Sequence, residues 1–285
     1  MKNLLESLIP MDFSLPGYVQ TLFIKLHILL VQAPFMKGDD LIDIIILLLL
    51  FLILAVIVQF APSPLPSYNL FTLPLPQPPG IMNLPANLYF YIDRRFTVAE
   101  VSRIKTIISG VLVQWKFHLT QKWNGGLNNG VSSWASCTQT YAFNGLKPYW
   151  HNTPVPNGQM ALEIAMNEFT QLFRDNGFKL SPPATIDYHL PFPITSSTIF
   201  GAQAFQQTKV PLSITVNPKQ IDRGDISNGA LEGSLVHAWL HRAGFDHPSK
   251  VYTTYFSGEA AMCYMRGYLP KTPALPDSIF TQFFD

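Results

Sequence analysis

Three histidines near the end of the chain constrain its fold more than any other feature of the sequence. They stand in the string His237-Ala238-Trp239-Leu240-His241-Arg242-Ala243-Gly244-Phe245-Asp246-His247. Because His237 and His241 are four residues apart, a helix projects both side chains from one face. Gly244 can adopt the left-handed conformation that ends a helix, so the chain can turn and bring His247 back to the other two. The fold therefore has to place a helix and the turn after it so that the three histidine side chains meet.

Three neutral imidazoles are the ligand set of a catalytic zinc ion, which keeps its fourth position open. The alternative is three unrelated histidines near a helix end. The chain has seven histidines, and coincidence explains poorly why three of them fall at these spacings with Gly244 between them. We therefore predict that His237, His241 and His247 bind Zn²⁺.

The same string resembles the extended zinc signature of the metzincin clan of metallopeptidases, H-E-x-x-H-x-x-G-x-x-H, at every fixed position except the glutamate. Residues 261–264, Ala-Met-Cys-Tyr, look like the Met-turn of that clan, a tight turn that places a methionine (here Met262) beneath the metal. The resemblance implies an α+β fold, with an α/β-type N-terminal subdomain, a mixed sheet, backing helices and a zinc-binding active-site helix. It also implies hydrolysis of peptide bonds by zinc-activated water.

Position 238, where the clan carries its catalytic glutamate, is Ala238. That glutamate takes a proton from the zinc-bound water and passes it to the leaving amine, which alanine cannot do. We therefore predict a chain that binds zinc but lacks the general base of an active parent. An engineered substitution and a natural pseudoenzyme both explain Ala238. The intact ligands, Gly244 and Met262 favour engineering, because drift after a loss of activity usually erodes several positions.

Two further residues of the predicted site have plainer alternatives. Tyr264 matches a position where some metzincin families carry a tyrosine that reaches the metal or stabilises the transition-state oxyanion, but it can equally be a packed tyrosine. Met262 can be a core methionine. Cys137 and Cys263 can pair in an oxidising compartment, although a tight turn around Cys263 argues against a disulfide.

Residues 41–60 form an apolar run without any charged residue from position 44 to 58. About 20 such residues span a bilayer, whereas a buried core helix would show a polar face and a cleavable signal peptide would begin nearer the start. We predict a retained transmembrane helix. Lys25 and Lys37 precede it, and no Lys or Arg follows before Arg94. The positive-inside rule therefore predicts a cytoplasmic N-terminus and an extracytoplasmic catalytic domain.

The segments on either side of this run differ in character. Residues 1–40 contain apolar residues at helical spacing, which indicates an amphipathic helix at the cytoplasmic membrane interface or a helix packed on a partner. Residues 61–86 are rich in proline, which predicts an extended stalk or a proline-rich docking motif. Apolar residues in the stalk, among them Phe71 and Leu73, suggest that it packs on the domain or on a neighbouring chain.

Residues 87–285 are predicted to form the zinc peptidase domain. We expect a strand at 88–92, a capping box of Thr97 and Glu100 that starts a helix, a second helix at 160–176, and the zinc helix at about 230–243. A strand is also expected at 210–216, where Pro211 requires a sheet edge or a strand start. In metzincins an edge strand before the zinc helix pairs with the extended peptide substrate.

The composition narrows the function further. A net charge of +1 with only 13% charged residues excludes the basic face that nucleic-acid binding needs. Our main hypothesis is a membrane-anchored zinc endopeptidase, acting on a peptide or protein substrate and present here in an inactive form. The rival is a metzincin-like pseudoenzyme that binds a peptide or an envelope-assembly partner. Hydrolysis of a non-protein amide is a third possibility, because zinc chemistry does not reveal the acyl group.

Overall fold

The computed structural model describes residues 67–123, 130–189, 198–200 and 211–284. The chain divides into two compact units, residues 1–65 and residues 66–285, and all described residues belong to the second. The predicted interfacial segment at 1–40 and the predicted transmembrane helix at 41–60 lie outside the described residues. Within the described ranges, no helix has both the length and the apolar character needed to cross a bilayer.

The described residues form a mixed α+β fold around one sheet. Its five strands in these ranges are β1 (Tyr68–Pro74), β2 (Asn87–Asp93), β3 (Ala184–Tyr188), β4 (Ile199–Phe200) and β5 (Ile214–Val216). They are ordered β1-β2-β3-β5-β4. The central strands β2, β3 and β5 are parallel, and β1 and β4 pair antiparallel at the two edges. The predicted α+β class with a mixed sheet is therefore confirmed.

Seven helices lie in the described residues. They are α1 (Val98–Trp123), α2 (Ser133–Tyr141), α3 (Gly158–Gly177), α4 (Pro218–Ile221), α5 (Asn228–Arg242), α6 (Phe256–Met265) and α7 (Ser278–Thr281). The predicted capping box is confirmed, since the Thr97 N–H donates to the Glu100 carboxylate (2.5 Å) and the Glu100 N–H to Thr97 Oγ1 (3.3 Å). The helices predicted at 160–176 and 230–243 correspond to α3 and α5.

Helix α5 runs through the centre of the domain, packed against both α1 and α6. Trp239, on the side of α5 away from the histidines, is fully buried and meets Phe169 and Phe173 of α3 edge-on. Trp115 of α1 packs on the same Phe173. This aromatic cluster fixes the rotation of α5, and with it the direction in which its histidines point.

The sheet begins inside the range that the sequence assigns to the stalk. Strand β1 pairs with β2 along its whole length, from Tyr68 opposite Asp93 to Pro74 opposite Asn87. Phe71 and Leu73 alternate into the core, as a half-buried edge strand requires. Pro74 is tolerated because β1 is an edge strand and the proline ends it. Residues 68–74 therefore pack on the domain itself, one of the two alternatives for the apolar residues of the predicted stalk.

The strand predicted at 210–216 is shorter and lies elsewhere in the sheet. Leu212 has a positive φ of 65° in a turn, so the strand β5 starts only at Ile214. Strand β5 lies between β3 and β4, and the edge next to α5 is formed by β4. The expectation of an edge strand at 210–216 is thus wrong in position, although Pro211 does precede the strand.

The structure has a helix where the sequence predicted a tight turn at residues 261–264. These residues lie inside α6, which is buried along almost its whole length. A continuous run of apolar and small side chains favours a buried helix over a turn. Cys263 of this helix forms a disulfide with Cys137 of α2. The expectation against this pairing was wrong, because it assumed the turn.

Candidate metal centre

Helix α5 carries two of the predicted ligands on one buried face. Ser227 caps its first turn by accepting a hydrogen bond from the Ala230 N–H (3.2 Å). Both His237 and His241 are almost completely buried. Their rings meet edge-on, with centroids 4.6 Å apart, as expected for residues four positions apart on a helix.

Gly244 ends the helix as predicted. Its φ of 100° lies in the left-handed region, and the Phe245 N–H donates to the Leu240 carbonyl (3.0 Å), closing the helix end. A Cβ at Gly244 would also lie only 2.7 Å from Cδ1 of Trp150. Both the conformation and the close approach of Trp150 therefore require glycine here.

The turn returns His247 to the two helical histidines. The Nε2 atoms lie 3.1 Å apart for His237 and His241, 3.1 Å for His241 and His247, and 3.2 Å for His237 and His247. Nitrogens held about 2.0–2.1 Å from one ion at tetrahedral angles are roughly 3.3–3.4 Å apart. The three predicted ligands are thus brought together at a spacing that fits a single metal ion.

Backbone carbonyls set the tautomer of all three neutral rings. The Nδ1 atom of His241 contacts the Phe245 carbonyl (2.8 Å) and that of His247 the Pro248 carbonyl (2.8 Å). His237 Nδ1 lies 3.4 Å from the Ser257 carbonyl at the start of α6. A carbonyl oxygen only accepts hydrogen bonds, so each Nδ1 carries the proton of the neutral ring.

This arrangement leaves three Nε2 lone pairs directed at one another. Three converging lone pairs repel unless a cation lies among them, and a ligand histidine commonly donates its other N–H to a carbonyl in this way. Imidazole ligands suit zinc as well as copper, iron and nickel. The donor set therefore fits a transition-metal ion.

Aromatic rings enclose the cluster. Phe284 stacks face to face on His237, with centroids 4.2 Å apart and planes at 7°. Tyr252 meets the rings of His237 (5.7 Å) and His247 (4.9 Å) edge-on. Asp246 accepts the His247 N–H (2.8 Å), which holds the turn. Apolar walls lower the local dielectric and strengthen the interaction of the imidazoles with a cation.

Ala238 is fully buried among core side chains. In the part of the chain that the structure describes, the metal-binding cluster consists of His237, His241 and His247 alone. The general-base position of the predicted site therefore contributes only a methyl group.

Tyr264 and Met262 have the surroundings of the plainer alternatives that the sequence left open for them. The Tyr264 hydroxyl donates to the Glu232 carboxylate, and its ring packs edge-on against Trp134 (5.5 Å). Burial raises the pKa of Tyr264, and the Glu232 carboxylate raises it further. Burial also raises the pKa of Glu232, against the effect of the Tyr264 hydrogen bond. These contacts are those of the packed tyrosine, and the buried Met262 is a residue of helix α6.

Sequence reasoning missed the carbonyl acceptors at Phe245, Pro248 and Ser257 and the rings of Tyr252 and Phe284. Backbone acceptors leave no trace in residue identity. Phe284 is 47 residues from His237 in the sequence, and no spacing rule connects them. The position of Tyr252, five residues after His247, was the one local signal available.

Comparison of the chain with models of protein families, with curated proteins and with solved structures gives no match in any of the three.

Proposed function

We propose that this chain is a metzincin-like zinc endopeptidase, anchored in a membrane, in a form that lacks its general base at position 238. The observation that carries the proposal is the convergence of three Nε2 atoms within 3.1–3.2 Å, each on a ring whose Nδ1 faces a backbone carbonyl. The metal ligands are His237, His241 and His247. A zinc ion bound there would supply Lewis-acid chemistry, which would polarise a peptide carbonyl and acidify water.

Each ligand is held by a different part of the fold. His237 is oriented through α6, His241 through the helix end and His247 through the turn that follows Gly244. Preorganised ligands of this kind bind a metal without a large rearrangement of the protein. The rings of Phe284 and Tyr252 pack directly against these imidazoles.

Ala238 decides what the site does after binding. Its methyl group neither accepts nor donates a proton, so general-base catalysis, typically worth about 10²–10⁴-fold, is lost. The chain therefore holds metal and substrate without cleaving the peptide bond.

Placement outside the cytoplasm is part of the same proposal. The apolar run at residues 41–60 supports an anchor, and the lysines before it support a cytoplasmic N-terminus. The Cys137–Cys263 disulfide supports an oxidising compartment for the domain.

A pseudoenzyme is the second candidate, favoured by the complete burial of Ala238 in a well-packed core. It would use the same cleft to bind a peptide or an envelope-assembly partner. The two candidates share the metal site and differ only in whether a glutamate at position 238 restores hydrolysis.

Metal analysis tests the shared part of the proposal. We expect about one zinc per chain, lost in His241→Ala and kept in His151→Ala, because the His151 ring lies outside the cluster, hydrogen-bonded to Thr153 (2.8 Å) and packed edge-on against Trp150. A protein without metal after zinc loading and desalting contradicts the site.

Restoring the carboxylate separates the two candidates. We expect Ala238→Glu to hydrolyse peptides in a chelator-sensitive manner, at least about 10²-fold faster than Ala238→Gln. Glutamine has the same size but does not act as a base. Zinc-loaded Ala238→Glu without hydrolysis would contradict the protease and favour the pseudoenzyme.

A further inference from the structure

A segment of the chain itself lies against the metal centre. Residues 278–284 contain the short helix α7 followed by Phe283 and Phe284. The ring of Phe284 is 3% exposed and lies between His237, on which it stacks, and Tyr252, which it meets edge-on at 5.3 Å. An aromatic side chain therefore fills the space directly beside a proposed zinc ligand.

One backbone carbonyl of this segment is held at the edge of the sheet. The Phe283 carbonyl accepts hydrogen bonds from the Thr198 N–H (3.4 Å) and from Ser234 Oγ (2.9 Å). Thr198 directly precedes the edge strand β4, and Ser234 lies one turn before His237 on α5. Ser234 Oγ also accepts the Ile199 N–H (3.3 Å). The Ser234 hydroxyl, on helix α5, is thus hydrogen-bonded both to the edge strand β4 and to residues 278–284.

The segment is anchored by charges at its beginning. Asp277 pairs with Lys271 (2.7 Å) and Arg266 (3.4 Å) and accepts a hydrogen bond from Thr253 Oγ1 (3.1 Å). Lys271 also pairs with the buried Glu259 of α6 (2.7 Å). The charged anchor therefore lies before α7, separate from the contacts that Phe283 and Phe284 make beside the histidines.

We infer that residues 278–284 occupy a peptide subsite of the metal centre, and that this subsite takes a phenylalanine side chain of the bound peptide. The inference rests on the proposed function and names its substrate class. The contacts of Phe284 define an aromatic subsite, and the hydrogen bonds to Phe283 define the adjacent backbone site. A peptide partner with phenylalanine at this position competes with the chain's own segment.

Peptide binding to the full chain tests the inference. The probe is a fluorescein-labelled peptide with the sequence of residues 279–284, Ile-Phe-Thr-Gln-Phe-Phe, and a second peptide with alanine in its last position. We expect Phe284→Ala to bind the first peptide roughly tenfold more tightly than the wild-type chain does, and roughly tenfold more tightly than it binds the second. Ile279→Ala, a change at an exposed residue of the same segment, should bind like the wild type.

Three outcomes would overturn the inference: Phe284→Ala binds neither peptide, binds both equally, or binds no better than the wild type. If Phe284→Ala does not fold by circular dichroism, Phe284→Leu carries the test, because it removes the ring that stacks on His237 and keeps an apolar side chain at the buried position. It should bind the first peptide more tightly than the wild type, and unchanged binding would contradict the inference.

Zinc content is measured on the same samples, and binding is repeated after chelation. The segment contacts the His237 ring, Ser234 and Thr198, and none of these contacts involves a metal ion. Equimolar zinc without selective peptide binding overturns the subsite and leaves the metal proposal standing. Selective peptide binding by a protein that contains no zinc supports the subsite and contradicts the metal proposal.

Discussion

Three backbone carbonyl oxygens determine whether the three histidines can bind one metal ion together. The carbonyls of Phe245, Pro248 and Ser257 face the Nδ1 atoms, so the three Nε2 atoms point toward one common position. His247 reaches this arrangement only because the chain reverses at Gly244. The geometry of the histidine cluster therefore depends on Gly244, which has no side chain to serve as a ligand.

Gly244→Ala should damage both stability and metal affinity. Alanine at a φ of 100° is strained, and its Cβ would meet Trp150 at 2.7 Å. We expect a loss of about 2 kcal/mol or more in the free energy of unfolding, and weaker zinc binding because His247 is displaced. Urea unfolding and a competition titration with a zinc indicator measure the two effects. Gly224→Ala is the matched control, since a Cβ there meets nothing within 4 Å; equal losses in both variants would contradict the argument.

Among single residues, the sequence allowed prediction of those whose role depends on their spacing along the chain. The positions of His237, His241, Gly244 and His247 were enough to predict the helix, the turn and the cluster. The carbonyl partners could not be predicted, because every residue has a carbonyl. Phe284 could not be predicted either, since its stacking on His237 depends on how the whole domain folds.

Helix α6 shows how a motif match can mislead about an element. Residues 261–264 match a turn motif in four letters, but ten consecutive residues from Phe256 to Met265 form a buried helix. Gly258 permits this packing, because a Cβ there would lie 2.4 Å from the Tyr252 carbonyl. The helix in turn supplies the Ser257 carbonyl to His237 and Cys263 to the disulfide.

Removing the disulfide should therefore weaken the domain and, through α6, the metal site. Cys137 and Cys263 are 126 residues apart, and a cross-link of that length restricts the unfolded chain by about 2–5 kcal/mol. We expect the double variant Cys137→Ser, Cys263→Ser to unfold at a lower urea concentration and to bind zinc less tightly. Reductant should lower the midpoint of the wild type and leave that of the double variant unchanged. If the wild type is unfolded and refolded in reductant and its urea midpoint does not change, the prediction is contradicted.

An ion pair between α1 and α3 gives stability a defined pH dependence. Burial opposes the ionisation of Glu163, but the nearby His118 ring, with Nε2 3.7 Å from the carboxylate, and the ion pair with Lys122 outweigh it and lower the pKa of Glu163. A lowered carboxyl pKa contributes stability above the unfolded value of about 4.3, and this contribution is lost as pH falls through the folded pKa. The stability difference between the wild type and Glu163→Gln should shrink as pH falls below about 4.

Glu168 of the same helix is the matched control for this dependence. Burial, and then Asp175, raise the pKa of Glu168, so its protonated form is favoured in the folded state. Its contribution is present at low pH and is lost as pH rises through the folded pKa. Glu168→Gln should therefore differ from the wild type in the opposite direction, as measured by urea unfolding from pH 3 to 7. Parallel curves for the two variants would contradict both assignments.

At the scale of the whole molecule, the strand–helix pattern from residue 88 onward was readable because its apolar residues recur at clear periods. The start of the domain could not be predicted correctly from the sequence. High proline content indicated a stalk, whereas the alternation of Phe71 and Leu73 is what places β1 in the sheet. Composition and periodicity gave opposite indications over the same residues, and burial of apolar surface outweighed the cost of the prolines.

Truncation at the two candidate boundaries tests this conclusion. A chain starting at residue 66 keeps β1, and it should fold and bind zinc as the full chain does. A chain starting at residue 87 loses Phe71, Leu73 and Leu75, each worth about 1.5–3 kcal/mol when buried. That sum is comparable with the whole stability of a typical domain, about 5–15 kcal/mol. The truncation at residue 87 also exposes the edge of β2. It exposes the ring of Phe90 as well, which stacks on Phe71 with centroids 5.5 Å apart in the full domain. We expect the shorter chain to aggregate or to unfold at least 10 °C earlier, a shift of the size that such a loss produces at roughly 200 residues. Equal melting temperatures for the two chains, measured by circular dichroism with light scattering as a check, would show that β1 is dispensable and that the domain begins at residue 87 after all.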